Sequence, residues 1–109
     1  MQLIATPFIV NGVGRILSIG DLNKVGDVNT ISVKVESERR RMSGQTQIIE
    51  TDHFYVQIWD TGADVFKDRA KVGSAMNFVG ELRNKKGMIT LKINKFEIYD
   101  PEDKNGENL

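Results

Sequence analysis

The chain has 109 residues, enough for one compact domain with a modest core but not for two. It contains no cysteine, which excludes a disulfide framework, a thiolate nucleophile and a cysteine-ligated metal, and leaves the cytoplasm as the expected compartment. The formal net charge is zero, but the charges are segregated. Of 15 basic and 15 acidic residues, the last ten positions hold one base (Lys104) and four acids (Asp100, Glu102, Asp103, Glu107), leaving 14 against 11 and a body charge of +3.

In chain order, "MQLIATPFIV" is apolar without a basic leader and is expected to be an arm leading into the first strand. No apolar run approaches the length that spans a bilayer, so no membrane partner is expected. The first strand is read over Phe8 to Ile19, with Gly12, Gly14 and Gly20 as interruptions. "DLNKVGD" reads as a loop. "VNTISVKVE" then alternates, with Ile31, Val33 and Val35 on one face and Thr30, Ser32, Lys34 and Glu36 on the other. "SERRRMSGQTQ" is polar and reads as flexible, and "IIETDHFYVQIWD" is the third strand.

Between Asp60 and Gly73 the period changes: Ala63, Phe66 and Ala70 recur at helical spacing behind a cap at Asp60 or Thr61, with Gly73 placed to stop the helix. "SAMNFVGELR" is a fourth strand, "NKKG" a tight turn and "MITLKINKFEIY" a fifth strand. The apolar phase of that fifth strand slips between Ile93 and Phe96, which predicts a bulge near Asn94 and Lys95. No internal repeat is present. Five strands with one short helix between the third and fourth is the order of an OB-fold, a five-stranded Greek-key barrel. That assigns residues 1–99 to the barrel and 100–109 to a short acidic, flexible tail; a different small barrel or a meander capped by the helix has the same pattern.

Three stretches carry a more specific likeness. "VGRI" (Val13 to Ile16), "HFYVQIWDTGADVF" (His53 to Phe66) and "KVGSAMNFVGELR" (Lys71 to Arg83) occur in an order and spacing that resemble the bacterial and phage single-stranded DNA-binding protein family, over about residues 8 to 99. Ala63-Asp64 stands where the family has Ala-Glu, and Lys71, Gly73, Gly80 and Leu82 fit its fourth-strand pattern. The resemblance implies an OB-fold that binds single strands by stacking, as a homo-oligomer in which a tetramer is favoured over a dimer. His53 and Trp59 fall on third-strand positions where members place rings, and Arg39 falls where many have a tryptophan. The chain departs from the pattern in its short "NKKG" connection and in lacking the Pro-Phe tip on its acidic end, so recruitment of proteins through the tail is not expected. A phage, plasmid or accessory member fits such a truncation.

The third strand gives the likeness a physical basis. His53 to Trp59 holds four rings in seven residues of a chain that is 7% aromatic by Phe, Trp and Tyr. Alternation places Phe54, Val56 and Ile58 on one face and His53, Tyr55, Gln57 and Trp59 on the other. A binder indifferent to sequence needs such flat surfaces, because every base has a π-face. Cations for a phosphate path are Arg15, Lys34, Arg39, Arg40, Arg41, Arg83, Lys85, Lys86 and Lys92. Phe54, Phe66, Phe78 and Phe96 are assigned to the core.

Competing readings remain beside this one. Trp59 and Tyr55 equally suit a protein interface, as in a primosome-type or assembly OB module. The "ERRRM" segment is ordinarily a solvated hairpin tip, and "NKKG" is first of all a turn. The lone His53 has no spaced partner for a metal, the carboxylates do not cluster away from the tail, and "GVG" lacks the helix and lysine of a phosphate loop. No enzyme, cofactor or metal is therefore expected. Nothing in the residues distinguishes RNA from DNA.

Overall fold

The structure is a computed structural model and describes residues 7–100; the expected tail beyond Asp100 and most of the N-terminal arm lie outside the described residues. Six strands and one helix follow in order: β1 (Phe8–Ile19), β2 (Asn23–Val25), β3 (Val28–Ser43), β4 (Thr46–Trp59), α1 (Thr61–Arg69), β5 (Ala75–Lys85) and β6 (Met88–Tyr99).

β1 closes the sheet by pairing twice, with β5 from Phe8 to Arg15 and with β3 from Arg15 to Ile19. The ring runs β1-β3-β4-β6-β5 and back to β1, with β4 and β6 parallel and the other pairs antiparallel; β2 is added at the outer edge of β3. This is the five-stranded barrel expected from the element order. Closure pairs strand edges that would otherwise be open to association.

The alternating positions fill the interior. Ile31, Val33 and Val35 from β3, Val56 and Ile58 from β4, and Ile16, Met76, Leu91 and Ile93 from the neighbouring strands are all buried. α1 lies against β3 and β4 and adds Ala63 and Phe66. Phe66 is fully enclosed and meets Phe96 edge to face, with centroids 5.6 Å apart. The predicted bulge is present: Val79 pairs with Lys95 but Gly80 pairs with Ile93, leaving Asn94 as the extra residue. At that point β5 and β6 approach so closely that a Cβ on Gly80 would lie 2.6 Å from the Lys92 carbonyl oxygen, which only glycine accommodates.

Four sequence expectations are corrected. The "SERRRMSGQTQ" segment is paired residue for residue, as β3 and β4 extend beyond the barrel into a hairpin arm turning at Gly44-Gln45. "DLNKVGD" contains β2. Asp60 is the helix cap, but its side chain makes no capping bond; its backbone sits at φ 64° while its N–H donates to the Asn29 carbonyl at 2.7 Å. Phe54 is 49% exposed, although it has the inward phase, because β4 leaves the barrel beyond Val56 and its ring stands at the rim.

Candidate nucleic-acid interface

The outer face of β4 carries His53, Tyr55, Gln57 and Trp59, opposite the buried Val56 and Ile58. Cross-strand register gives each ring a polar neighbour on the same face: Glu36 beside His53, Lys34 beside Tyr55 and Thr30 beside Trp59. On the other side of β4, the parallel pairing sets Lys92 of β6 beside Gln57.

Two of the rings sit under lysines. Lys34 Nζ lies 5.8 Å from the Tyr55 centroid and Lys92 Nζ 5.9 Å from that of Trp59, both within cation–π range. Tyr55 is 67% exposed. Trp59 is half-buried at one wall of a groove of about 340 Å³ between β4 and the β5–β6 hairpin, whose far side is built from Arg83, Lys85, Thr90 and Lys92. The hairpin turn keeps those cations close. Lys86 and Gly87, both at positive φ (54° and 85°), are the central residues of a type I′ turn, and Asn84 Oδ1 accepts the Gly87 N–H at 2.9 Å.

The predicted cations divide into two groups. Lys34, Lys85, Lys86 and Lys92 make no ion pair among the described residues, and Arg83 is held by Glu81 at 3.2 Å. Arg15 lies on the same outer surface, in a row through Glu36 to His53 across three strands, and donates to the Gly73 carbonyl at 3.3 Å. His53 Nε2 is 3.0 Å from Glu36.

The arm arginines are not part of this face in the manner the sequence implied. Arg39 and Arg41 project from the opposite side, in phase with Phe54, and are met by Asp52 at 3.5 Å and Glu50 at 2.9 Å respectively. Arg40 shares the ring side but is bound by Glu38 at 2.9 Å. Each cation of "RRR" therefore already has a carboxylate, and Arg39 lies on the face opposite Trp59. The groove's polar side chains Gln57, Asn84 and Thr90 were not singled out from the sequence; for Gln57 the available signal was its phase between Tyr55 and Trp59.

The sequence matches no protein-family model and no curated protein. Solved structures do match. The chain is similar to the protein PriB from Ralstonia solanacearum, with a TM-score of 0.70 and 18% identity over 85% of this chain and 97% of that one. It is similar to the second single-stranded DNA-binding protein of Mycobacterium smegmatis, with a TM-score of 0.68 and 17% identity over 84% and 88% of the two chains. The small single-stranded DNA-binding protein of Streptomyces coelicolor gives a TM-score of 0.66 and 13% identity over 91% and 99%. This chain is an OB-fold. Within an OB-fold, oligonucleotides and oligosaccharides use the face of the second and third barrel strands and the loop joining the last two; here these are β3, β4 and the β5–β6 turn, where the rings and the unpaired lysines lie. The described residues of this OB-fold contain no cluster of His, Cys, Asp or Glu able to hold a metal and no helix long and apolar enough to cross a membrane.

Proposed function

We propose that this OB-fold binds single-stranded DNA without strong sequence preference and protects it in the cytoplasm during replication, recombination or repair, acting by binding and not by turnover. Bases stack on Trp59 and Tyr55, with His53 a third and weaker platform. Phosphates are met by Lys34, Lys85, Lys86 and Lys92, with Arg83 and Arg15 at the margins. The arm arginines contribute little, because their charge is already neutralised. The observation that carries the reading is the placement of Lys34 over Tyr55 and of Lys92 over Trp59, on one open face, with neither lysine in an ion pair among the described residues.

Each stacked base contributes about 1–3 kcal/mol. Each phosphate contact to a single strand contributes about −0.7 to the slope of log affinity against log salt, so four free lysines give about −3. The same surface argues against the assembly reading, in which the aromatic face is a protein interface: interface centres are depleted in lysine, and this one has lysines over both rings. The resemblance to the binding-protein family supports a homo-oligomer as the working form.

Fluorescence anisotropy of labelled oligo-dT, competed with unlabelled single strands and with duplex at low salt, tests the proposal. Single strands should displace the probe and duplex should not. Displacement by duplex as well as by single strands would overturn it.

A further inference from the structure

Carboxylates as well as cations stand on the ring side of the sheet, and they are not balanced alike. Glu38 is bound by Arg40 at 2.9 Å and Glu81, across from Lys92, by Arg83 at 3.2 Å. A guanidinium keeps its charge at any working pH, so both of these carboxylates stay compensated. Glu36 is different. The partner of its carboxylate is His53, with Nε2 at 3.0 Å, and imidazole is the side chain that gains or loses its charge between about pH 5 and 8.

No permanent cation stands in for the histidine. Around the pair, β1 contributes Arg15, β3 contributes Lys34 and Glu38, and β4 itself contributes Tyr55. Arg15 is directly across from Glu36 but donates to the Gly73 carbonyl at 3.3 Å, and Lys34 lies over the Tyr55 ring. Among the described residues neither makes an ion pair with Glu36. The pair therefore carries one uncompensated negative charge when the imidazole is neutral and none when it is protonated. With 45% of the His53 side chain and 34% of the Glu36 side chain exposed, a bound strand reaches both, and water screens the charge to the scale of a single phosphate contact.

We infer that Glu36 is a functional residue of the interface, a carboxylate that opposes the strand's phosphates until His53 takes up a proton, so that binding of single strands is coupled to protonation of the pair. The sign follows from the charges. Phosphates favour the protonated pair, so affinity gains as pH falls through the range in which imidazole charges, and it is lost again as pH rises through that range. His53 is the single histidine of the chain, so no other imidazole supplies this dependence. It belongs to the His53 end of the face, because Tyr55 and Trp59 sit beside lysines instead. The inference rests on the proposed binding of single strands.

The test titrates labelled oligo-dT over a range of salt at about pH 8 and again at about pH 5.5, the two sides of the histidine range. Thymine has no ring nitrogen that takes up a proton there, so the strand itself does not change charge. One charge at a single-strand contact is worth about 0.7 in the slope of log affinity against log salt. The wild-type slope should therefore be steeper by about 0.7 at the lower pH. His53→Gln should keep the shallow slope at both pH values. Glu36→Gln removes the opposing charge at nearly constant shape and should show, already at the higher pH, the slope that wild type reaches at the lower one. Equal wild-type slopes at the two pH values overturn the inference while single-strand binding stands. A steepening that persists in His53→Gln overturns it also, as does a Glu36→Gln slope no steeper than that of wild type at the higher pH. Failure of all three proteins to bind at either pH removes the proposed function itself.

Discussion

Removing the Trp59 ring takes away a stacking surface and leaves the barrel interior intact, because the side chain belongs to the outer face of β4. Trp59→Ala is expected to weaken binding of oligo-dT by about 1–3 kcal/mol, with solution mass by light scattering unchanged. Tyr55→Ala should act in the same direction. If Trp59→Ala lowers the mass and spares the affinity, the face is a subunit or partner interface instead. Burial decides the stability effects. Phe66 is fully enclosed and Phe54 is 49% exposed, so Phe66→Ala should cost about 3–5 kcal/mol in urea denaturation and Phe54→Ala clearly less. Gly80→Ala forces β5 and β6 apart at the Lys92 carbonyl; a loss of about 1–3 kcal/mol is expected, together with weaker DNA binding as Lys92 is displaced from Trp59.

At the level of elements, the two hairpins that carry most of the predicted cations behave differently. The β3–β4 arm pairs its arginines with Glu38, Glu50 and Asp52, whereas among the described residues Lys85, Lys86 and Lys92 of the β5–β6 hairpin make no ion pair. Replacing Arg39, Arg40 and Arg41 together by alanine should leave the salt slope of DNA binding nearly unchanged. Replacing Lys85, Lys86 and Lys92 together should reduce it by about 2. Equal loss from both sets would show that the arm ion pairs open on binding and would refute the division.

The same contrast explains what the sequence made legible. Strands bounding the core announced themselves through alternation: Ile31, Val33 and Val35 predicted a face that is buried, and the phase slip after Ile93 located the bulge at Asn94. Once β3 and β4 leave the barrel, both faces meet solvent and no apolar period remains, so the arm read as a flexible loop, while Phe54 read as core because it shares the phase of Val56 and Ile58. Opposite charges nine or more residues apart are not visibly partners until the hairpin register sets Arg39 across from Glu50 and Ser37 across from Asp52. The ring face was legible because alternation alone determines it. The groove was not, since its walls come from strands that meet only through the parallel β4–β6 pairing.

For the whole molecule, a formal net charge of zero coexists with a localised cationic face, so binding should depend on salt far more than net charge alone implies. A 12.3 kDa chain that works as a homo-oligomer should scatter light as a dimer or a tetramer; a monomer mass at micromolar concentration would remove that part of the proposal. The most direct measurement uses the single tryptophan of the chain. Titration with unlabelled oligo-dT at low salt should quench Trp59 emission to saturation, and added salt should restore it. Unchanged emission while the DNA is demonstrably bound would place the strand elsewhere on the barrel and contradict the stacking platform.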